Sequence, residues 1–576
     1  MGWPYELMVD LSAEDKLLRR QNIDFYACLA HYSALTPALA YLLWRLACRA
    51  LARGTAEGGR GDYQEVPHSP TAKAHRGQLS GRFEVRWRQL CWWAQDDVSV
   101  LGMPCGRRDE WLLGFAWFAW LLCLCVVDTG KDYLHLTKRF GAIAVSQLPI
   151  QFLMALKVLN PYAFAFKSSH EDINRYHRVL GRIIYALLLL HVLFYNYFFV
   201  AAGIWLNRFF APIVFCGVVA NMALNALVTT SLIKDYSYRI FFITHLTSAT
   251  AIPVLIFFHA PSTRLYLVET LVVLFLDIGV RKVSTITAPS KLELVPGTDL
   301  VKVTSAIPAH RLGSFKFLPG SHILLNVPAG SRSTTTQGVQ SGTFNFLYNP
   351  FTVASVDEDD GITVVTRVRQ GPVTLLLGKV ASTSPAETGK IPLAIEGPYG
   401  TIGKNFNDLL GWGAARILLV AGGIGATFTL PVHQAIKREL PSAKVQLVWA
   451  VRGADDAAWA AASLTPEKDI HDNEEFQLYV TGSTDATDGG NGASTDNVEM
   501  DSLSHKTTHS QIMHHVRRGR PDLERIINAT FRHGLEEPVA VLVCGPTGMT
   551  REVRRRVRPW AMRGRKIWWH AESFGW

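Results

Sequence analysis

None of the eight cysteines in this 576-residue chain is spaced as metal ligands are, which excludes a cysteine-held metal site. Cys123 and Cys125 share an apolar stretch, where packing suits them better than a disulfide. Only Cys544 sits in a motif. The amino terminus has no charged head followed directly by an apolar stretch and a small-residue cleavage site, so no removable signal peptide is expected. The usual spaced-glycine dinucleotide fingerprint is missing too. Lys and Arg outnumber Asp and Glu by 58 to 48, a net charge of +10. That excess is spread among apolar segments instead of forming a nucleic-acid surface, so no nucleic-acid partner is expected.

Apolar character is plentiful. Aromatics reach 11% and the mean hydropathy lies above zero. Seven runs in the first half come near the roughly 20 residues needed to cross a bilayer: 26–50, 111–127, 140–159, 182–204, 211–233, 241–259 and 265–280. After Lys282 the pattern is that of soluble protein. Arg76, Arg82, Arg86, Arg88, Arg107 and Arg108 crowd one connection. Lys167, Arg175 and Arg178 precede the fourth run, Lys234 and Arg239 the sixth, and Arg281 and Lys282 follow the seventh. The other connections carry less: Lys131 with the pair Lys138–Arg139, then Arg208, then Arg264. The positive-inside rule places the first set, and everything after the last run, in the cytosol, with the amino terminus outside.

His177, at the entry to the fourth run, and His191, in its middle, lie fourteen positions apart, and His245 and His259 repeat that spacing in the sixth. Fourteen helical steps rise about 21 Å and turn nearly four whole turns, so each pair occupies one face of its helix. The two runs are separated by one antiparallel run and are therefore parallel. His177 can meet His245 at the cytosolic level, and His191 can meet His259 at the outer level. Two facing imidazoles at each level suit a haem iron held from both sides. A single membrane histidine more often satisfies a hydrogen bond between helices. Only His31 and His135 compete with the repeated spacing, which favours metal ligation; a proton relay needs no matched pairs. Arg178 and Arg182 suit the propionates of an inner haem, and equally suit ordinary cytosolic flanking.

Short β-rich segments at 292–295, 300–303, 322–327 and 363–369 read as a small barrel. Asn349-Pro350-Phe351-Thr352 opens a further strand and can set a hydroxyl beside a flavin ring nitrogen. Glu396-Gly397-Pro398-Tyr399-Gly400 reads as a tight turn after the barrel. A strand at 417–421 then runs into Gly422-Gly423-Ile424-Gly425-Ala426-Thr427, whose glycines let backbone amides approach a pyrophosphate at a helix start. A strand at 445–451 ends at Arg452, placed to grip a 2′-phosphate, or else a plain surface arginine. A third at 540–543 ends in Cys544-Gly545-Pro546, at the strand end where ligands gather. Residues 483–511, rich in Thr, Ser, Asp and Gly, read as a disordered cytosolic loop. The sequon Asn528-Ala529-Thr530 is expected to stay unused in the cytosol.

Together these features resemble the ferric reductase and NADPH oxidase superfamily from about Trp111 to the end, and most of all its fungal ferric-chelate reductases. His177-Arg178, Gly181-Arg182, His191, His245 and His259 carry the likeness in the membrane half. Asn349–Thr352, Gly422–Thr427, Cys544-Gly545-Pro546 and the ending Glu572-Ser573-Phe574-Gly575-Trp576 carry it in the soluble half. Pro319-Gly320-Ser321-His322 resembles the barrel strand entering the flavin site. The stretch from Arg367 to Thr374 resembles the segment contacting the flavin pyrophosphate. The family usually has histidine where this chain has Asn349, which donates a hydrogen bond but carries no charge.

The resemblance implies a multi-domain membrane protein. An all-α transmembrane haem-binding bundle is followed by a ferredoxin-reductase-like module, with an antiparallel β-barrel for FAD and a Rossmann-like α/β domain for NADPH. The expected divisions are an amino-terminal span and cytosolic loop (1–110), a six-helix transmembrane domain with two b-type haems (111–283), the flavin barrel (284–408) and the nucleotide domain (409–576). It implies catalytic parts for Thr352, Cys544 and Trp576, the last covering the flavin until nicotinamide displaces it. The expected activity is electron transfer from cytosolic NADPH to extracytosolic ferric or cupric chelates at the plasma membrane. Two alternatives stand beside it: a superoxide-producing oxidase with the same cofactors, and a transporter or channel with a nucleotide-binding tail.

Overall fold

The computed structural model describes the chain apart from residues 1–4, 9–10, 57–78, 101–102, 235, 317, 333–347, 358–360, 370, 384–389, 401, 464–474, 483–515, 534–536 and 573–576. The expected disordered loop at 483–511 and Trp576 therefore lie outside the described residues. Two compact units emerge: residues 1–63 with 93–283, and residues 64–92 with 284–576. The stretch expected to be a loop beside the first span thus supplies part of the second unit.

The first unit is helical: α1 (Ala13–Ser33), α2 (Thr36–Ala56), then, beyond the helix Leu79–Ala94 that belongs to the other unit and is called α3, α4 (Arg108–Val126), α5 (Tyr133–Ser146), α6 (Leu148–Ala155), α7 (His170–Ala201), α8 (Pro212–Leu232), α9 (Tyr238–His259) and α10 (Arg264–Ser284). Four of these, α4, α7, α8 and α9, are long and apolar enough to cross a membrane by length and composition, among the described residues. The expected first span is instead two helices, divided before Thr36-Pro37, because proline is favoured in the first turn of a helix and cannot continue one. The expected third span divides at Gln147 for the same reason, with Pro149 in the first turn of α6. Lys138 and Arg139, read as part of a connection, lie inside α5. Arg139 is fully buried, its guanidinium 4.0 Å from the Tyr26 ring centre and donating to the Leu124 carbonyl at 2.8 Å. The core of this unit runs through Leu121, Ile143, Leu187 and Leu267, all completely covered.

The second unit opens on a closed six-stranded barrel of β1 (Ile286–Leu294), β2 (Leu300–Ser305), β3 (His322–Asn326), β4 (Asn349–Asp357), β5 (Gly361–Arg367) and β6 (Ile391–Tyr399). The order around the barrel is β1-β2-β5-β4-β3-β6, with every pairing antiparallel. The expected tight turn at 396–400 is instead the end of β6: Glu396 and Tyr399 pair with Leu324 and His322, and Gly397-Pro398 sits where the register slips. A bulge tolerates a proline that cannot donate to the ladder, and Gly397 takes φ +139 there.

A six-stranded parallel sheet follows: β7 (Arg416–Gly422), β8 (Lys444–Val451), β9 (Phe476–Val480), β10 (Val516–Arg518), β11 (Val539–Cys544) and β12 (Ile567–Glu572), in the order β10-β9-β8-β7-β11-β12. Strand β11 is apolar throughout, as burial on both faces requires, and all of it is buried. Helices α11 (Ala426–Glu439), α12 (Leu523–Phe531) and α13 (Thr547–Met562) cover the faces.

Candidate functional site

Helix α7 begins at a serine cap, Ser169, whose hydroxyl accepts from the Asp172 amide, and runs 32 residues without a proline. It thereby carries His177 and His191 on one rigid rod. Helix α9 carries His245 and His259, the latter as its last residue. The structure brings the four together as two pairs. The ring centres of His177 and His245 stand 6.3 Å apart, and those of His191 and His259 stand 6.4 Å apart.

Those separations are informative. Two metal–imidazole bonds of about 2.0–2.1 Å plus the two ring radii span such a distance. The tautomers agree. Nδ1 of His177 lies 2.9 Å from the Gln151 carbonyl, that of His191 lies 2.8 Å from the Thr137 carbonyl, and that of His259 lies 2.8 Å from the Ile213 carbonyl. A carbonyl only accepts, so Nδ1 holds the proton and Nε2 offers a lone pair. Among the described residues, Nδ1 of His245 is buried with no hydrogen-bond partner. Each level supplies only two ligands, and no group of three or more His, Cys, Asp or Glu among the described residues could hold a bare metal ion. The pairs therefore suit a metal that brings its other ligands with it, as a haem does. The residues fit that group.

Sequence reading missed what holds these rings. A Cβ at Gly141 of α5 would stand 2.7 Å from the His191 ring, and one at Gly217 of α8 would stand 2.6 Å from the His259 ring. Both glycines let a helix backbone press on an imidazole. The only signal for them is a glycine on a neighbouring helix at the level of a histidine. Arg178 and Arg182 are exposed on α7, one and five residues after His177.

In the barrel, Thr352 of β4 is buried and faces His322 of β3 across the ladder. Asn349 and Pro350 open β4 opposite Leu325 and Leu324, and Phe351 is buried opposite Ile323. Pro319 and Gly320 form the turn into β3, and a Cβ on Gly320 would meet the Phe428 ring of α11 at 2.8 Å. The barrel turn thus touches the helix that follows the glycine loop. Arg367 pairs with Asp456 at 2.8 Å and Asp299 at 3.2 Å. The Thr374 hydroxyl likewise donates to the Arg369 and Gly371 carbonyls.

Strand β7 runs into the glycine loop as expected, with Gly422 closing the strand, Gly423–Gly425 in a tight turn, and Ala426 and Thr427 buried at the start of α11. A Cβ on Gly425 would stand 2.2 Å from the Cys544 carbonyl oxygen, so only glycine lets the two loops meet. Trp449 of β8 was not foreseen: its indole N–H donates to the Gly423 carbonyl at 2.9 Å and holds the loop. Arg452 is exposed just past β8. Cys544 is fully buried, followed by Gly545 and Pro546. Burial, helped by Glu572, pushes its thiol well above the usual range, so it stays protonated. Glu572 pairs with Cys544 in register and has His570 Nε2 at 3.2 Å, and His570 stacks on Phe428. In the sequence the signal for Glu572 is its two-residue alternation with His570 and Trp568.

All three parts match known families. Residues 140–256 match the ferric reductase like transmembrane component, 285–402 an FAD-binding domain, and 414–558 the ferric reductase NAD binding domain. A probable metalloreductase, AIM14, of Scheffersomyces stipitis is 24% identical over 522 residues, covering 84% of this chain and 88% of that protein. The ferric/cupric reductase transmembrane component 2 of Schizosaccharomyces pombe is 23% identical over 489 residues, covering 76% of this chain and 80% of that protein. Among solved structures, a flavohemoglobin from Malassezia yamatoensis aligns at 13% identity and a TM-score of 0.34, over 76% of this chain and 97% of its own. With its membrane, flavin and nucleotide parts each matched in one chain, this protein belongs to the ferric reductase family and is an integral membrane oxidoreductase.

Proposed function

We propose that the protein carries electrons from cytosolic NADPH, through FAD and two b-type haems, to ferric or cupric chelates outside the plasma membrane, in support of metal uptake. The observation that supports this most is the pair of imidazole gaps, 6.3 and 6.4 Å, held fourteen residues apart on two parallel helices. The relatives named as metalloreductases favour a metal chelate over oxygen as acceptor.

In this reading His177 and His245 hold the cytosolic haem, and His191 and His259 the outer one. Carbonyls of Gln151, Thr137 and Ile213 keep three of the imidazoles in the ligating tautomer. Arg178 and Arg182 stand near His177 to offset propionate charge. The bound groups supply the redox chemistry: two-electron acceptance by flavin and one-electron relay by haem. Thr352 places its hydroxyl at the flavin, with Asn349, Pro350, Phe351, Pro319, Gly320 and His322 shaping the same end of the barrel. The Gly422–Thr427 loop admits a pyrophosphate at the start of α11, and Arg452 takes the 2′-phosphate. Cys544, a neutral thiol, lines the nicotinamide end with Gly545 and Pro546, and Trp576 covers the flavin. Arg367 and Thr374 contact the flavin pyrophosphate in this reading.

The test is a spectrum of the detergent-purified protein before and after anaerobic NADPH, and again after a ferric chelate. A low-spin haem spectrum that NADPH reduces and the chelate reoxidises without oxygen is expected. Reoxidation only on admitting air would make it an oxidase, and absence of haem would end the reading.

A further inference from the structure

Helix α3 (Leu79–Ala94) precedes α4 in sequence, yet it packs on the nucleotide sheet. Its Gly81, Val85, Arg88, Gln89 and Trp92 fall on one helical stripe, and it is this stripe that is covered or half-covered, while Arg82, Phe83, Glu84, Arg86, Trp87 and Leu90 are exposed. Gln89 donates to the Met562 carbonyl at 2.8 Å, capping the end of α13. Arg88 reaches the Gly564 carbonyl at 3.4 Å, and a Cβ on Gly564 would stand 2.8 Å from Val85. Trp92 is 7% exposed and joins the core of the sheet with Ile527, Val541, Val543 and Val553. Its ring meets Trp569 of β12 edge-on at 5.7 Å. The Arg554 guanidinium lies 4.4 Å from the Trp92 ring centre and 5.5 Å from that of Trp569, and donates to the Trp92 carbonyl at 3.2 Å.

Strand β12 needs such support. Among the described residues it is an edge strand, paired only with β11. Its two faces are held from opposite sides: His570 stacks on Phe428 of α11, and Trp569 meets Trp92 of α3 edge-on. The same strand carries Glu572 opposite Cys544, at the carboxyl end of the sheet.

We propose that Trp92 is a positioning residue: with Arg554 it fixes β12 from behind, and so a helix from the amino-terminal segment sets how tightly the sheet binds nicotinamide nucleotide. This rests on the reading that NADPH binds at the Cys544 end. Loss of the aromatic and cation–π contacts lets the strand shift, which weakens binding without removing any group that touches the nucleotide.

The test uses full-length protein with Trp92→Ala, Trp92→Phe and Arg554→Gln, reading NADP⁺ affinity by calorimetry together with KM and kcat for NADPH. For Trp92→Ala the expectation is NADP⁺ affinity and KM worsened about tenfold, kcat changed by under roughly twofold, and most of the loss recovered by Trp92→Phe. Arg554→Gln, which keeps both indoles, is expected to weaken NADP⁺ about threefold and serves if Trp92→Ala fails to fold. Unchanged NADP⁺ affinity in the folded variants overturns the proposal, as does a loss confined to kcat or to flavin content. If the wild type binds NADP⁺ but leaves ferric chelate unreduced, the proposed function falls while the brace is still judged by NADP⁺ affinity.

Discussion

In the membrane unit, four side chains on two helices form the candidate site, and their spacing is a property of each helix alone. In the reductase unit, the candidates come from β3, β4, β7, β8, β11 and β12, brought together by strand order. A helix converts a count of residues into a distance, so the first site is written in one dimension. A sheet does not: β11 lies beside β7 although more than a hundred residues separate them, and nothing local states it. The first site should therefore fail at single ligands, and the second should degrade through its supports.

The sharpest contrast is expected from the ligands. His177→Ala or His191→Ala each removes one haem and stops NADPH-driven chelate reduction, whereas Cys544→Ala retains haem and flavin and slows hydride transfer only. Pyridine-haemochrome assay and stopped-flow flavin reduction check the two halves, and full haem content in both histidine variants would break the comparison. Next come the close approaches. Gly217→Val, aimed at the His259 ring, is expected to lose most of the outer haem. Gly425→Ala, aimed at the Cys544 carbonyl, is expected to cost about 1–3 kcal/mol of domain stability, seen as a lower melting temperature with haem intact. The smallest effect belongs to Arg452, which is exposed. Arg452→Gln is expected to lower the preference for NADPH over NADH about tenfold, as removal of a charge-assisted hydrogen bond does. Steady-state kinetics with both nucleotides decide it, and an unaltered ratio returns Arg452 to the surface.

Prolines show where reading along the chain stops. Pro37 and Pro149 each begin a helix and divide an expected span, yet Pro253 and Pro431 lie inside α9 and α11 without ending them. The residue is the same; what differs is whether neighbouring elements hold the flanking backbone helical. Pro398 is a further case, placed in β6 because the ladder slips there.

By itself, the sequence determined the histidine spacing, the glycine loop after a strand, and the division into an apolar and a polar half. Each is a local pattern whose geometry follows from helix rise, strand alternation or burial. Only the tertiary structure decided that Gly141 and Gly217 press on imidazoles, that Arg367 answers to Asp456 and Asp299, and that α3 belongs to the nucleotide sheet. Those are contacts between surfaces far apart in the chain. Packing selects such contacts by shape and charge across the fold, and no spacing along the chain encodes them.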